Sequence, residues 1–138
     1  MPQLRNLLNG ILLSLCLALP LHGQDPGDEF RDTIRSQLEA FEVDDFTAAF
    51  QYAAPVIQNI FRTPENFGAM VRNGYPMVWR PGEVKFLDLH PRDGGIWQKV
   101  MITDQSGAIH VLDYEMVPTP DGLRIGGVEV LKLPDLGA

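Results

Sequence analysis

Residues 96–117 read IWQKVMITDQSGAIHVLDYEMV, and the alternation in this stretch decides the fold. Successive side chains of a strand point to opposite faces. Ile96, Gln98, Val100 and Ile102 therefore share one face, and His110, Leu112, Tyr114 and Met116 share one face of the strand that follows. The connection between them, Asp104-Gln105-Ser106-Gly107, is short and carries the residues of a tight turn, so the two strands form an antiparallel hairpin. Working outward, Glu83 to Leu89 reads as a strand before the hairpin, joined to it by a His90 to Gly95 loop, and Leu123 to Leu131 reads as a strand after it, joined through Pro118 to Gly122. Gly126-Gly127 inside the last strand predicts a bulge or sharp bend. Pro81-Gly82 marks a turn, and Met77-Val78-Trp79 reads as a short extended piece.

The chain ahead of the strands has helical periodicity. Phe30, Ile34, Leu38 and Phe41 recur at helical spacing and lie on one face. Asp28 is the expected N-cap of this helix, with residues 24–28 as a mobile lead. Either Asp44 or Asp45 can cap a second helix carrying Phe46, Ala49, Phe50 and Ala53, and Pro55 ends it and opens a short third segment. Thr63-Pro64 places a capping hydroxyl before a proline suited to the first helical position. Phe67, Met70 and Val71 form the apolar face of the helix that follows. Arg72 sits in its last turn and Gly74 is the expected left-handed stop. Helices first and a strand meander afterwards give the class α+β, with N-terminal helices packed on a strongly bent antiparallel sheet of about four strands.

The first twenty-three residues read as an export signal. Arg5 supplies the positive start, Ile11 to Leu19 the apolar region, Pro20 its end and Gly23 the small residue at the cleavage point. The apolar run is shorter than the roughly 20 residues needed to cross a bilayer. Leu15 before Cys16 does not suit lipidation, so Cys16 lies within the hydrophobic region. The expected product is a single domain, residues 24–138, in the periplasm or the medium, with no stable membrane insertion after cleavage. Loss of Arg5 makes that product one unit more negative than the whole chain, whose formal charge is −7. It has no cysteine, so it stands on its core without disulfides. Acidity disfavours nucleic acid and anionic membranes as partners. No metal site is expected, because His90 and His110 are not at ligand spacing on one element, and no cofactor is implied.

Gln98 and Tyr114 are the polar residues that interrupt apolar rows. A buried amide needs partners or costs a few kcal/mol, of order 1–3, so Gln98 either binds a ligand or satisfies a neighbouring loop. Tyr114 either serves as a donor to an oxyanion, which also requires a carboxylate base, or buries its ring with a satisfied hydroxyl. Asp113 and Glu115 flank it on the opposite face, and Asp88 and Glu129 reach it only if their strands turn inward. Met70, Met77, Trp79, Met101 and Met116 are soft apolar side chains able to line a pocket or fill a core. The candidate pocket set is Gln98, Tyr114, Met70 and Met116, with no catalytic set and no metal ligands. His90-Pro91-Arg92-Asp93 is a polar loop that either binds an anion or is simply solvated.

Asp44-Asp45-Phe46-Thr47-Ala48-Ala49-Phe50-Gln51-Tyr52-Ala53-Ala54-Pro55, then Thr63-Pro64-Glu65-Asn66-Phe67-Gly68-Ala69-Met70-Val71, Trp97-Gln98-Lys99-Val100, Tyr114-Glu115-Met116 and Gly122-Leu123-Arg124-Ile125-Gly126-Gly127 follow in order. Together they resemble a family of small exported bacterial domains without an assigned function, across about residues 28 to 132. The family is similar to the cystatin-like cone of nuclear transport factor two and ketosteroid isomerase. The resemblance implies a curved sheet closing a pocket over a long helix, and brings no catalytic residues. Leu123 departs from it, standing where a tryptophan is expected beside Arg124-Ile125. Two functions follow as expectations. One is a non-enzymatic binding module for a small apolar ligand or a periplasmic protein. The alternative is a cofactor-free isomerase- or dehydratase-like enzyme with Tyr114 as donor.

Overall fold

The structure, a computed structural model, describes residues 25–133; the expected signal segment, with Cys16 and His22, lies outside the described residues. Among the described residues, five helices precede four strands: α1 (Pro26–Glu42), α2 (Phe46–Gln51), α3 (Pro55–Phe61), α4 (Pro64–Gly74), α5 (Pro76–Trp79), β1 (Pro81–Arg92), β2 (Gly95–Asp104), β3 (Ile109–Thr119) and β4 (Gly122–Leu131). The strands form one antiparallel sheet in sequence order, the α+β meander expected from the alternation.

The caps explain where the helices start. Asp25 caps α1, its carboxylate accepting from the Gly27 amide at 3.1 Å, with Pro26 at the first helical position. This corrects two expectations. Residues 26–28 are helix and not a lead, and Asp28 sits in the first turn, paired with Arg31, where a carboxylate favours the helix dipole. Asp45 caps α2 through the Ala48 amide, and Thr63 caps α4 through the Asn66 amide. Gly74 is the last residue of α4, and its φ is not positive. The helix stops at Tyr75 instead, because Pro76 cannot donate and restricts the residue before it. Met77-Val78-Trp79 is helical and not extended. Pro76 opens a single turn in which the Tyr75 carbonyl accepts from the Val78 and Trp79 amides.

β1 is longer than expected at both ends. Pro81-Gly82 opens the strand through a bulge opposite β2. His90 and Arg92 are strand residues paired with Trp97 and Gly95, so the His90–Gly95 loop shrinks to Asp93-Gly94. Their φ values of 50° and 77° are those of a two-residue hairpin turn that needs both in the left-handed region. A second β1 irregularity lies between Phe86 and Leu89. The glycine pair in β4 does what its composition suggests: the register slips between Glu115 and Met116, leaving Gly126 as the extra residue. A Cβ there would lie 2.5 Å from Val117 Cγ2, which only glycine avoids.

α1 packs over the inner face of the sheet. Ile34, Leu38 and Phe41 from the helix join Val100, Ile102, Leu112, Tyr114 and Ile125 from the strands in one buried cluster. Phe41, Phe50 and Phe61 surround the Phe67 ring with centroids 5.3–5.8 Å away, tying α2, α3 and α4 to α1. Gly68 lets α2 approach α4, since a Cβ there would stand 2.6 Å from the Phe46 ring. The edge of β4 is partly covered as well. Ala53 bridges Ile125 in parallel, the Ala54 amide donating to the Ile125 carbonyl and the Ile125 amide to the Tyr52 carbonyl, both at 2.8 Å.

Candidate functional site

The sheet and the helical layer do not close completely where β4 runs past α3 and α4. An apolar cleft of about 310 Å³ lies there. Ile57 and Phe61 form one wall, Met70 and Tyr75 another, and Gly127 and Val128 of β4 the third, with α1 at the back through Gln37 and Phe41. α3 contributes no buried residue, and Ile60 at the mouth is 64% exposed, so the apolar wall runs out onto the surface. Two polar side chains belong to this wall. Gln37, buried, donates its amide to the Ala49 carbonyl at 3.1 Å. The Tyr75 hydroxyl reaches the Val128 carbonyl at 3.5 Å, at the long limit of a hydrogen bond.

The four candidate residues are not brought to one opening. Met70 lines the cleft. Met116 lines a separate groove of about 520 Å³ beside Phe30, Ile96 and Leu123. Gln98 and Tyr114 face each other as register partners on the inner face, as their alternation requires, but both are fully buried and neither lines the cleft. Gln98 Nε2 donates to the Leu87 and Lys99 carbonyls at 2.9 and 2.8 Å, so its amide group ties the irregular part of β1 to β2. Its Oε1 and the Tyr114 hydroxyl are buried without a partner among the described residues. Burial, and secondarily the nearby Tyr75, push the Tyr114 hydroxyl well above the usual tyrosine range and keep it neutral.

Among the described residues, no carboxylate meets the Tyr114 hydroxyl. Asp113 and Glu115 lie on the outer face, where the alternation put them, and Asp113 is held there by its own cluster. His90 Nε2 stands 2.9 Å from both Asp113 oxygens, and Arg92 donates to Asp113 at 3.1 Å. Arg92 also pairs with Glu129 and stacks its guanidinium 4.3 Å from the Trp97 ring centroid. The polar segment read as an anion-binding or solvated loop is thus a strut within the sheet, its Arg92 guanidinium committed to carboxylates and its His90 ring hydrogen-bonded to one. Hydrogen bonds to Glu129 and Asp113 raise the Arg92 pKa further above its ordinary value. A second histidine is also committed: His110 Nε2 lies 2.8 Å from Asp104, which also accepts from the Ser106 hydroxyl and from the Ser106 and Ala108 amides. These bonds, led by the Ser106 hydroxyl and His110, hold Asp104 far below the usual carboxylate range.

Sequence reasoning missed most of the cleft wall. Gln37 had a signal of the same kind as Gln98, a polar residue inside the apolar stripe between Ile34 and Phe41. Tyr75 and Val128 had none, because their proximity arises only when the junction of α4 and α5 comes against β4.

The described residues form a small α+β domain whose helices and meander leave an apolar cleft beside a sheet edge. The chain belongs to the family described as a domain of unknown function, DUF4864, whose pattern matches residues 24–138. No curated protein and no solved structure matches it.

Proposed function

We propose that the chain is an exported, non-enzymatic binding module whose cleft receives an apolar group of a small ligand or of a periplasmic protein partner. The cleft carries the reading. Its volume is at the low end of the roughly 300–1,000 Å³ usual for ligand sites, and an apolar wall with few polar atoms is their usual make-up. Neither a carboxylate nor an imidazole belongs to that wall, which favours binding over the isomerase- or dehydratase-like alternative. In this reading Met70 touches the ligand, Gln98 and Tyr114 stiffen the sheet behind the wall, and Met116 lies outside it. The cystatin-like cone is part of the reading: bulges in β1 and β4 bend strands locally, and α1 lies against the inner face. The export signal supplies the compartment.

The test pairs native mass spectrometry of protein purified from the periplasm with a titration of anilinonaphthalene sulfonate. We expect saturable one-to-one dye binding, weakened by about tenfold or more, some 1.4 kcal/mol, in Met70→Trp, with the near-UV circular dichroism of a native fold retained. A wild-type protein that binds no dye and carries no retained molecule overturns the reading.

A further inference from the structure

The cleft opens against a strand edge that is only half used. β4 is the last strand of the sheet, and Tyr52–Ala54 cover its edge at Ile125. Beyond the Gly126 bulge, from Gly127 to Leu131, no backbone bond reaches that edge from outside the sheet among the described residues; the Tyr75 hydroxyl alone touches it, at the Val128 carbonyl. In an antiparallel ladder the amide and carbonyl of one residue point to the same side, and alternate residues share that side. The Val128 carbonyl points away from β3, so the amides and carbonyls of Val128 and Val130 together offer a continuation of the pairing begun at Ile125.

The surroundings of this free half are chemically two-sided. On the inner side are the cleft and exposed apolar Ile60 and Val130. On the outer side is Glu115, which makes no ion pair among the described residues. Gly126 and Gly127 have no side chains to screen it. A Cβ on Gly127 would lie 3.3 Å from Glu115 Oε2, so this carboxylate extends across β4 toward the edge. Extended peptides bind exposed edges by main-chain hydrogen bonds, with pockets selecting alternate side chains.

Resting on the reading of the cleft as a binding site, we propose that its occupant is an extended segment of a partner protein. The segment adds to the Val128–Val130 edge of β4, seats an apolar side chain in the cleft and places a basic side chain over Glu115. The Tyr75 hydroxyl, held by one long contact, gives way to the incoming amide at the Val128 carbonyl. The occupant is a peptide and not a small molecule because the free edge continues a pairing that the chain's own Tyr52–Ala54 already makes. It is basic on one face because the reachable charge there is an unpaired carboxylate.

The probe is a fluorescein-labelled heptapeptide of alternating leucine and lysine, read by anisotropy. Val130→Pro removes the outward amide without taking a bond from β3. The same peptide N-methylated at alternate amides leaves the protein untouched. Each is expected to weaken binding about tenfold or more, as is Met70→Trp. Glu115→Lys is expected to weaken it at low salt and by less at about 1 M, where screening acts within about 3 Å. If the N-methylated peptide and Val130→Pro bind as the parents do, the cleft takes apolar groups without strand addition. This proposal then falls while the binding reading survives. The same holds if the dye binds and the peptide does not; if neither binds, both fall. A dimer in sedimentation velocity that Val130→Pro abolishes makes a second copy the occupant and overturns the assignment to a partner.

Discussion

Asp113 and Tyr114 are adjacent on β3, 1% and 0% exposed, and face opposite sides of the sheet. The outer residue is a carboxylate supplied with His90 and Arg92. The inner residue is a phenol whose hydroxyl has no partner among the described residues. Burial costs a charged group more than a neutral one unless it is paired. The outer face therefore gathered His90 and Arg92 from β1 around Asp113, whereas the inner face holds two neutral polar atoms, the Tyr114 hydroxyl and Gln98 Oε1, without a partner among the described residues. The difference separates a charged group that needs partners to be buried from neutral groups that are buried without them.

Asp113→Ala strikes the outer side of this comparison and is expected to have the largest effect. It removes the shared acceptor of His90 and Arg92, and the loss should be about 2–3 kcal/mol, the scale of hydrogen bonds to charged groups. Rehydration of the half-buried Arg92 keeps it from being larger. Urea unfolding measures it; a change within about 0.5 kcal/mol, the range of ordinary surface positions, breaks the idea that the cluster is a strut.

Tyr114→Phe tests the inner side, with a smaller effect of opposite sign. Deleting a buried hydroxyl without a partner, while keeping the ring, should leave stability unchanged or raise it by up to about 1 kcal/mol. A loss greater than that, read from the same urea curves, means the hydroxyl is satisfied and the contrast with Asp113 disappears.

Asp104 extends the comparison to pH, with the smallest effect at neutral conditions. Its folded pKa is depressed, so its contribution is present above the unfolded aspartate value of about 3.9 and is lost as pH falls below it. Wild type should melt above Asp104→Asn near pH 6, and the gap should narrow steadily below about pH 4. A gap that stays constant in thermal melts down to pH 2 removes the carboxylate's charge as the cause and leaves only the turn's geometry.

Much of the fold was legible because it is local. Alternation from Ile96 to Val117 set two strands and their faces, including the opposite placement of Asp113 and Tyr114. Gly126-Gly127 announced the bulge, Thr63 announced one helix start, and the Asp44-Asp45 pair announced another without choosing between its two aspartates. The errors were also local: Asp93-Gly94 is a two-residue hairpin signal that a longer loop reading obscured, and Tyr75-Pro76 ends α4 in place of a left-handed Gly74. The candidate site was less legible. Periodicity assigns a side chain to a face, and every inner-face residue looks equally able to line a pocket. Only packing decides which part of that face is filled, and it filled the part holding Gln98 and Tyr114.

The sequence by itself determined the succession of helices and then strands, the antiparallel meander and the faces of its central strands, because hydrophobic period, caps and turn residues act within a few positions of one another. The tertiary structure alone decided the cleft between α3, α4 and β4, the strut that joins His90 and Arg92 to Asp113, and the half-free edge beyond Ile125. The strut joins β1 to β3 across the sheet, the cleft and the covered part of the edge arise where the helical layer meets β4, and no local pattern encodes how completely two docked layers close.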